Sequence, residues 1–428
     1  MKKINLLFVL FFFVITISFT QESNTLIVDS LLNKLWQSDD NYQKSRIIKK
    51  IEKQNPVFDD LLYSIKNKIE FSDYVKKGFV EWENKIDSMF HFCIVLVPNS
   101  YNPTKKYPVT VFLHGAIMNL NPHFVQNIVT PSSYNLDSLE KIIVYPTSWM
   151  QSLWWSNRQV ENLKYIITRL KQTYNIDENN IHLTGISDGA TGIFYQLNMN
   201  STLWASIKPY IGDPNSTANL SNHEIYLKNY KSVPWLIVNT SNDELFPASE
   251  ITPFVDKMKQ EGASINYYIM NNFDHDLKWY PLLKDTVQLF TERSIRNPFP
   301  SEIYWRTENT TKYGRNKWVI IDKLGKNKNL DNSIVLTPKS QKESVFSGSI
   351  DAKTIGNTIY VKTFNVKQYT LLISPEQFDF NKPIIVYTND NLSFEGIVEK
   401  NYNVLLNWFS KDLDRLMLYG YELNIQIK

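Results

Sequence analysis

The sequence places one serine in a setting that favours nucleophilic chemistry. Ser187 lies in the run Gly-Ile-Ser-Asp-Gly at 185–189, just after the strand-like run at 180–183. Glycines two residues either side of a serine permit a tight turn from strand to helix, and that turn presents the hydroxyl at the edge of a sheet. Such a hydroxyl attacks esters and amides when a base takes its proton, an acid orients the base and N–H donors hold the oxyanion. Ser187 is therefore our predicted nucleophile.

The order of the histidines along the chain selects the base. In a doubly wound sheet that carries such a serine, the acid and then the histidine follow it in the sequence. Of the six histidines, four precede Ser187, and His223 follows it in a polar stretch with no strand directly before it. His275 alone comes in a loop after a predicted strand, at 270–276. We predict that His275 is the base.

The acid is expected in a loop beyond another strand. The apolar run at 235–238 leads into Asn-Thr-Ser-Asn-Asp-Glu, and Asp243 is the first carboxylate after that strand. We predict Asp243 as the acid, with Glu244 and Asp213 as the alternatives.

Two backbone N–H groups are expected to hold the oxyanion. One belongs to Asp188, at the start of a helix whose dipole also favours negative charge. The other is expected from the loop after the Leu-His-Gly run at 113–115, at Ala116 or Ile117. His114 is interpreted as a residue that braces this loop rather than one that transfers a proton.

Short apolar runs alternate with helical patterns through the middle of the chain, which predicts an α/β fold with a doubly wound, mostly parallel sheet. We place this catalytic domain at 88–298. Apolar residues at helical spacing predict a helical segment at 21–87, either a scaffold element or a lid over the site. Short strands separated by polar turns predict a β-rich accessory domain at 299–428, interrupted by one helix near 404–413.

The amino terminus has the features of a secretory signal peptide. Lys2 and Lys3 precede an apolar run at 6–17, and small residues precede Gln21. The run is shorter than the about 20 residues that a membrane-spanning helix needs. We predict cleavage after Thr20 and a secreted or periplasmic protein with no stable membrane insertion.

Composition excludes one class of partner and one kind of crosslink. The chain has 428 residues, a formal net charge of +3 and no basic block, so it has no electrostatic footprint for nucleic acid. Cys93 is the only cysteine, so no intramolecular disulfide can form. Its apolar surroundings predict a buried side chain rather than a thiol nucleophile.

Taken together, the ordered motifs resemble the α/β-hydrolase superfamily. The likeness is to its secreted esterases of the polyhydroxybutyrate-depolymerase, feruloyl-esterase and dienelactone-hydrolase-like kind, over about residues 89–296. The motifs that carry it are 113–115, 174–177, 185–189, Asp243 with Phe246-Pro247, and Asp274-His275-Asp276. The resemblance implies ester hydrolysis through an acyl-enzyme, with no metal or organic cofactor. Gly189-Ala190 stands where the family often has Gly-Gly, and alanine is small enough for the same close packing.

Aromatic residues in loops beyond the strands suggest how a substrate is held. Trp154 and Trp155 follow the third predicted strand, and Trp279 follows His275, so these rings could form an aryl or sugar platform, with helix packing as the alternative. The expected substrate is a small-molecule ester or an acyl or feruloyl group on a polysaccharide. A serine peptidase of the prolyl-oligopeptidase type and a glycan-binding protein on a hydrolase scaffold are the competing functions.

Overall fold

A computed structural model describes residues 25–326, 332–341 and 346–427. The predicted signal peptide at 1–20 lies outside the described residues. Within those residues, no helix is long and apolar enough to cross a membrane.

The centre of the molecule is an eight-stranded sheet with the order β1-β2-β4-β3-β5-β6-β8-β9. The pairs β1/β2 and β2/β4 are antiparallel, and the remaining pairs are parallel. Its strands are β1 (Gly78–Ile86), β2 (Met89–Val97), β3 (Tyr107–Leu113), β4 (Ile142–Pro146), β5 (Ile176–Ile186), β6 (Ser206–Tyr210), β8 (Trp235–Thr240) and β9 (Ile265–Met270). This is the predicted α/β-hydrolase arrangement, and the fold prediction is confirmed.

Helices cover both faces of this sheet because its inner strands are apolar along their length. Strands β4, β6 and β8 are buried at every position, so each face needs a covering layer. The helices that follow the strands are α4 (Asn157–Thr173), α5 (Asp188–Met199), α6 (Thr217–Ser221), α7 (Ala248–Gln260) and α8 (Tyr280–Arg293). Each connects the carboxyl edge of the sheet to the next strand, which leaves the loops at that edge free to carry side chains for chemistry.

The sheet begins earlier than predicted, so the boundary between residues 87 and 88 is wrong. Residues 78–86 form a strand rather than part of the helical segment, and they pair along their full length with β2. Val80 and Trp82 point into the core, whereas Glu81 and Glu83 are exposed, which is the period-two pattern of a half-buried edge strand. The helices before it end at Asn67.

The amino-terminal helices pack against the carboxyl-terminal region, which favours the scaffold alternative over the lid. They span 25–37 (α1), Asn41–Glu52 (α2) and Phe58–Asn67 (α3), and they pack against α10 (Tyr402–Asp412) of the carboxyl-terminal region. The Trp36 indole N–H donates to the Lys171 carbonyl in the last turn of α4, at 2.9 Å. The first turn of α4, about 20 Å away along the helix axis, is the end that faces the loops at the carboxyl edge of the sheet.

The carboxyl-terminal region is β-rich, as predicted, and contains the helix α10. Its larger sheet has the order β10-β14-β15-β17-β18, and the smaller one has the order β11-β12-β16-β19. These strands are β10 (Glu302–Thr307), β11 (Arg315–Asn316), β12 (Val319–Leu324), β14 (Gly348–Ile355), β15 (Thr358–Phe364), β16 (Val366–Ile373), β17 (Ile384–Thr388), β18 (Asn391–Gly396) and β19 (Tyr421–Gln426). A short helix, α9 (Thr310–Tyr313), precedes β11.

This region also shares structure with the central part of the chain. The strand β13 (Val335–Leu336) pairs with β7 (Ile225–Tyr226), which lies between α6 and β8. The Arg415 guanidinium forms a fully buried ion pair with Glu178 on β5, at 2.6 Å. The two regions are therefore joined by backbone pairing and by buried polar contacts.

Candidate active site

Ser187 occupies the turn between β5 and α5 in a strained backbone conformation. Its φ of 54° and ψ of −120° are rarely adopted by a residue with a side chain. Gly189 permits the tight packing behind it, because a Cβ there would lie 2.1 Å from the Leu113 carbonyl oxygen. The backbone strain and the close approach together hold the hydroxyl at the carboxyl edge of the sheet.

His275 and Asp243 meet Ser187 from the neighbouring loops. The Ser187 Oγ lies 2.8 Å from His275 Nε2, and His275 Nδ1 lies 2.8 Å from Asp243 Oδ2. With the Nδ1–H donating to the carboxylate, Nε2 is left to accept the serine proton. The Asp243 side chain has no exposed surface, whereas 20% of the His275 side chain is exposed. The acid is therefore buried behind the imidazole, and the imidazole faces the site.

The structure distinguishes Asp243 from its two rivals. Its second oxygen, Oδ1, accepts the N–H groups of Leu245 at 2.9 Å and Phe246 at 2.8 Å, so the carboxylate is fixed by its own loop. Asp213 instead accepts the Asn215 N–H at 2.9 Å, and Glu244 is exposed. Asp243 alone among the three contacts His275.

The loop that carries His275 is tied to the loop that carries Asp243. The Asn242 N–H donates to the Phe273 carbonyl at 3.1 Å, and the Thr240 hydroxyl donates to the Asp274 carbonyl at 2.9 Å. Phe246 packs against the imidazole of His275 with its ring nearly perpendicular, at a centroid distance of 5.2 Å. These contacts restrict the imidazole to the orientation that reaches Ser187.

The predicted oxyanion donors, Ala116 and Asp188, lie beside the serine. A Cβ on Gly115 would lie 2.9 Å from the Ser187 Cβ, which places the 115–116 backbone directly over the side chain. Among the described residues, the N–H groups of Ala116 and Asp188 donate to no acceptor. The Ile117 N–H, in contrast, donates to the Asp188 carboxylate at 3.2 Å. Ala116 is therefore the better placed of the two alternatives, and its φ of 54° marks a strained turn.

His114 braces the loop at 114–117, which carries the predicted oxyanion donor Ala116, and its tautomer is defined. Its Nε2 accepts the Ser148 N–H at 3.1 Å, so Nδ1 must carry the proton that reaches the Gly115 carbonyl at 2.6 Å. Burial lowers the pKa of His114 to about 4, so the ring is neutral at ordinary pH. The Trp154 indole N–H donates to the His114 carbonyl at 2.9 Å. The sequence analysis did not identify Ser148 or the Asp188 carboxylate, because each acts through a loop that is distant in the chain.

The three tryptophans predicted as an aromatic platform are buried, which favours the packing alternative for them. Trp154 and Trp279 are 0% exposed, because Trp154 packs on Gly192 of α5 and Trp279 packs edge-on against Tyr210. Trp155 is 7% exposed and lines a pocket of about 360 Å³, whose lining includes none of Ser187, Asp243 and His275. Because these rings are large and apolar, they pack in the core beneath the loops at the carboxyl edge of the sheet and are not exposed to a substrate.

The described residues contain no group of three or more His, Cys, Asp or Glu side chains arranged to hold a metal ion. Cys93 is buried, as predicted, and burial raises the pKa of its thiol to about 12.

Comparison with known proteins returned structural similarities only. No known family's sequence profile matches the chain, and no curated protein sequence matches it. A thermostable esterase of known structure is 22% identical with a TM-score of 0.42, over 51% of this chain and 63% of that one. A propionate-bound thermophilic esterase from the Planctomycetes species Thermogutta terrifontis is 13% identical with a TM-score of 0.40, over 52% and 97%. Esterase 2 of the same organism, phosphorylated by paraoxon, is 11% identical with a TM-score of 0.38, over 50% and 94%. We therefore derive the function from the geometry of the site itself.

Proposed function

We propose that the chain is a serine hydrolase that cleaves carboxylic esters through an acyl-enzyme intermediate. The observation that carries this proposal is the continuous hydrogen-bonded series from Ser187 Oγ through His275 to Asp243, with both distances at 2.8 Å. A nucleophile, a base within reach of its proton and a buried acid that orients the base are the parts that acyl transfer requires.

In the proposed reaction, Ser187 Oγ attacks the ester carbonyl carbon while its proton passes to His275 Nε2. The N–H groups of Ala116 and Asp188 hold the negative charge that develops on the carbonyl oxygen. The tetrahedral intermediate collapses, the ester C–O bond breaks, and His275 returns the proton to the leaving alkoxide. Water then attacks the acyl-serine with His275 again as base, which releases the acid and restores the serine.

The substrate we propose is an ester with an apolar acyl or alcohol group, among which feruloyl and acyl groups on polysaccharide remain candidates. Two of the loops that carry the site bear exposed apolar side chains, with Met118 at 69% and Leu245 at 67% exposed. Met118 lies two residues after Ala116 and Leu245 two residues after Asp243, so we expect an apolar substituent to meet exposed apolar side chains near the reacting carbonyl. Export through the sequence at 1–20 is also part of this proposal.

Three substrates offered in parallel test the proposal. We expect p-nitrophenyl acetate and methyl ferulate to be hydrolysed and a proline-containing anilide to resist. Replacing Ser187 by Ala should lower the turnover by about 10⁴- to 10⁶-fold, because the nucleophile itself is lost.

The matched control is Ser393→Ala, which removes an exposed serine hydroxyl on β18 that donates to the Asn391 carbonyl at 3.3 Å. It should retain ester turnover. Cleavage of the anilide without ester turnover would instead support the peptidase alternative. Ester turnover that persists in purified Ser187→Ala protein would contradict the proposal.

A further inference from the structure

A second cavity lies at the junction between the central α/β region and the carboxyl-terminal region. Its volume is about 260 Å³, and it is enclosed by the outer face of α4, the end of α5, the segment at 310–315 and α10. None of Ser187, Asp243 and His275 lines it. The cavity is therefore separate from the candidate active site.

Cationic side chains outnumber carboxylates around this cavity. Five lysine and arginine side chains and three carboxylates line it: Lys164, Lys171, Lys312, Arg315 and Lys411 against Glu161, Asp412 and Asp414. An uneven balance of charge in a partly enclosed space attracts ligands of the opposite sign.

Two of the three carboxylates are already neutralised. Asp412 accepts both terminal nitrogens of Arg315 at 2.7 Å. Asp414 pairs with Arg296 at 2.8 Å and with Lys171 at 3.5 Å. These pairs also neutralise Arg315 and Lys171, which leaves Lys164, Lys312 and Lys411 against Glu161 around the cavity.

Lys312 and Lys411 are the two lining cations that form no salt bridge among the described residues. Of these two, Lys411 has its ammonium over the Trp408 ring, at 4.3 Å. The Arg315 guanidinium lies over the same ring at 4.2 Å. Partial burial and then repulsion from Arg315 lower the pKa of Lys411, and attraction from Asp412 and Glu422 only partly opposes this shift. An anion in the cavity would offset both effects.

We propose that this cavity binds a small organic anion that carries one carboxylate or phosphate group, with Lys411 as its principal charge partner. The volume is below the about 300–1,000 Å³ of pockets for drug-sized ligands, which limits the ligand to about the size of a monosaccharide. The half-buried Thr168 of α4 and the edge of Trp408 provide polar and aromatic surface for the remainder of such a molecule.

Calorimetric titration of the full chain tests this inference with three matched probes: glucuronate, glucose 6-phosphate and glucose. We expect the two anions to bind and neutral glucose to give no heat of binding up to about 10 mM. The tighter of the two anions identifies the carboxylate or the phosphate as the preferred group. Titration into Ser187→Ala protein should give the same affinities, so the outcome is independent of the proposed esterase activity.

Two variants assign the binding to this cavity. Lys411→Gln should weaken binding of the anion by about tenfold or more, because it removes a charged hydrogen-bond donor. Thr168→Trp should abolish binding by filling the space while every charge remains. Lys362→Gln is the matched control, since Lys362 is exposed on β15 and does not line the cavity. Equal binding of glucose and glucuronate, absence of binding by both anions, or unchanged affinity in Lys411→Gln would overturn the proposal.

Discussion

Two polar networks in this molecule contrast in exposure and in composition. At the carboxyl edge of the central sheet, Ser187, His275 and Asp243 form a series that opens to solvent at the imidazole. At the junction of the regions, Arg415 donates to both oxygens of Glu178, to the Asn175 side chain and to the Ile176 carbonyl. The side chains of Arg415 and Glu178 are 4% and 0% exposed.

The difference explains what each network can do. Each guanidinium nitrogen of Arg415 and both carboxylate oxygens of Glu178 have hydrogen-bond partners in a buried setting, so this network joins the regions. Among the described residues, the Ser187 network retains the unpaired N–H groups of Ala116 and Asp188 and a partly exposed imidazole. The proposed chemistry therefore uses the network that still has free donors and exposed surface, whereas the fully buried network joins the two regions.

The largest expected effect is the loss of activity on replacing Asp243, the predicted acid of the Ser187 network. Asp243→Asn should lower ester turnover by about 10⁴-fold with little loss of stability, because the amide favours the wrong imidazole tautomer. Steady-state kinetics with p-nitrophenyl acetate measures this. Asp213→Asn is the control and should stay near the parent rate, and a greater loss in that variant would transfer the role of acid to Asp213.

A change at the Arg415–Glu178 ion pair should instead reduce stability and leave activity unchanged. Arg415→Met should lower the free energy of unfolding by about 3–5 kcal/mol, because Glu178 is left as an unpaired buried charge, while turnover per folded molecule is retained. Urea unfolding measures the change. Lys400→Met removes an exposed partner of Asp59 and should cost at most about 1 kcal/mol. Similar losses in the two variants would remove the distinction between buried and surface pairs.

Low pH should reduce the free energy of unfolding through three buried histidines. Burial lowers the pKa of His91 and His114 to about 4 and that of His182 to about 3. The unfolded chain takes up these protons below about pH 6.5, whereas the folded chain does not, so stability falls as the pH drops below that value.

At pH 5 each of these histidines should contribute a loss of about 2 kcal/mol relative to neutral pH. Urea unfolding at pH 7 and pH 5 measures the summed loss for the three histidines. In His182→Asn protein, the difference in unfolding free energy between the two pH values should be smaller by the contribution of one histidine. A free energy of unfolding that is the same at both pH values would show that these rings are not held neutral.

The smallest predicted effect is at Trp154. It tests whether this side chain stabilises the fold or contacts the substrate. Trp154→Phe should cost about 1 kcal/mol of stability through the lost hydrogen bond to the His114 carbonyl. The KM for p-nitrophenyl acetate should stay unchanged, because the ring is buried. Thermal unfolding and KM are measured together, and a raised KM without a change in stability would restore Trp154 to the substrate site.

Much of the fold and of the site geometry could be anticipated from local pattern. The apolar runs predicted the sheet, and the carboxyl ends of its parallel strands had to bring Ser187, Asp243 and His275 to one edge. The period-two pattern at 78–86 was overlooked beside the longer helical pattern, which moved the start of the sheet. The tryptophans were misplaced because loop position alone does not reveal whether a ring turns outward or packs beneath.

The sequence by itself determined the α/β architecture and the order of the candidate nucleophile, acid and base, because strand periodicity and chain order are local properties. Tertiary structure alone decided which carboxylate faces His275, where the tryptophans are buried, and that the amino-terminal helices pack against α10. It also decided the pairing of Arg415 with Glu178, 237 residues apart. Such contacts depend on the packing of whole elements, which no local pattern encodes.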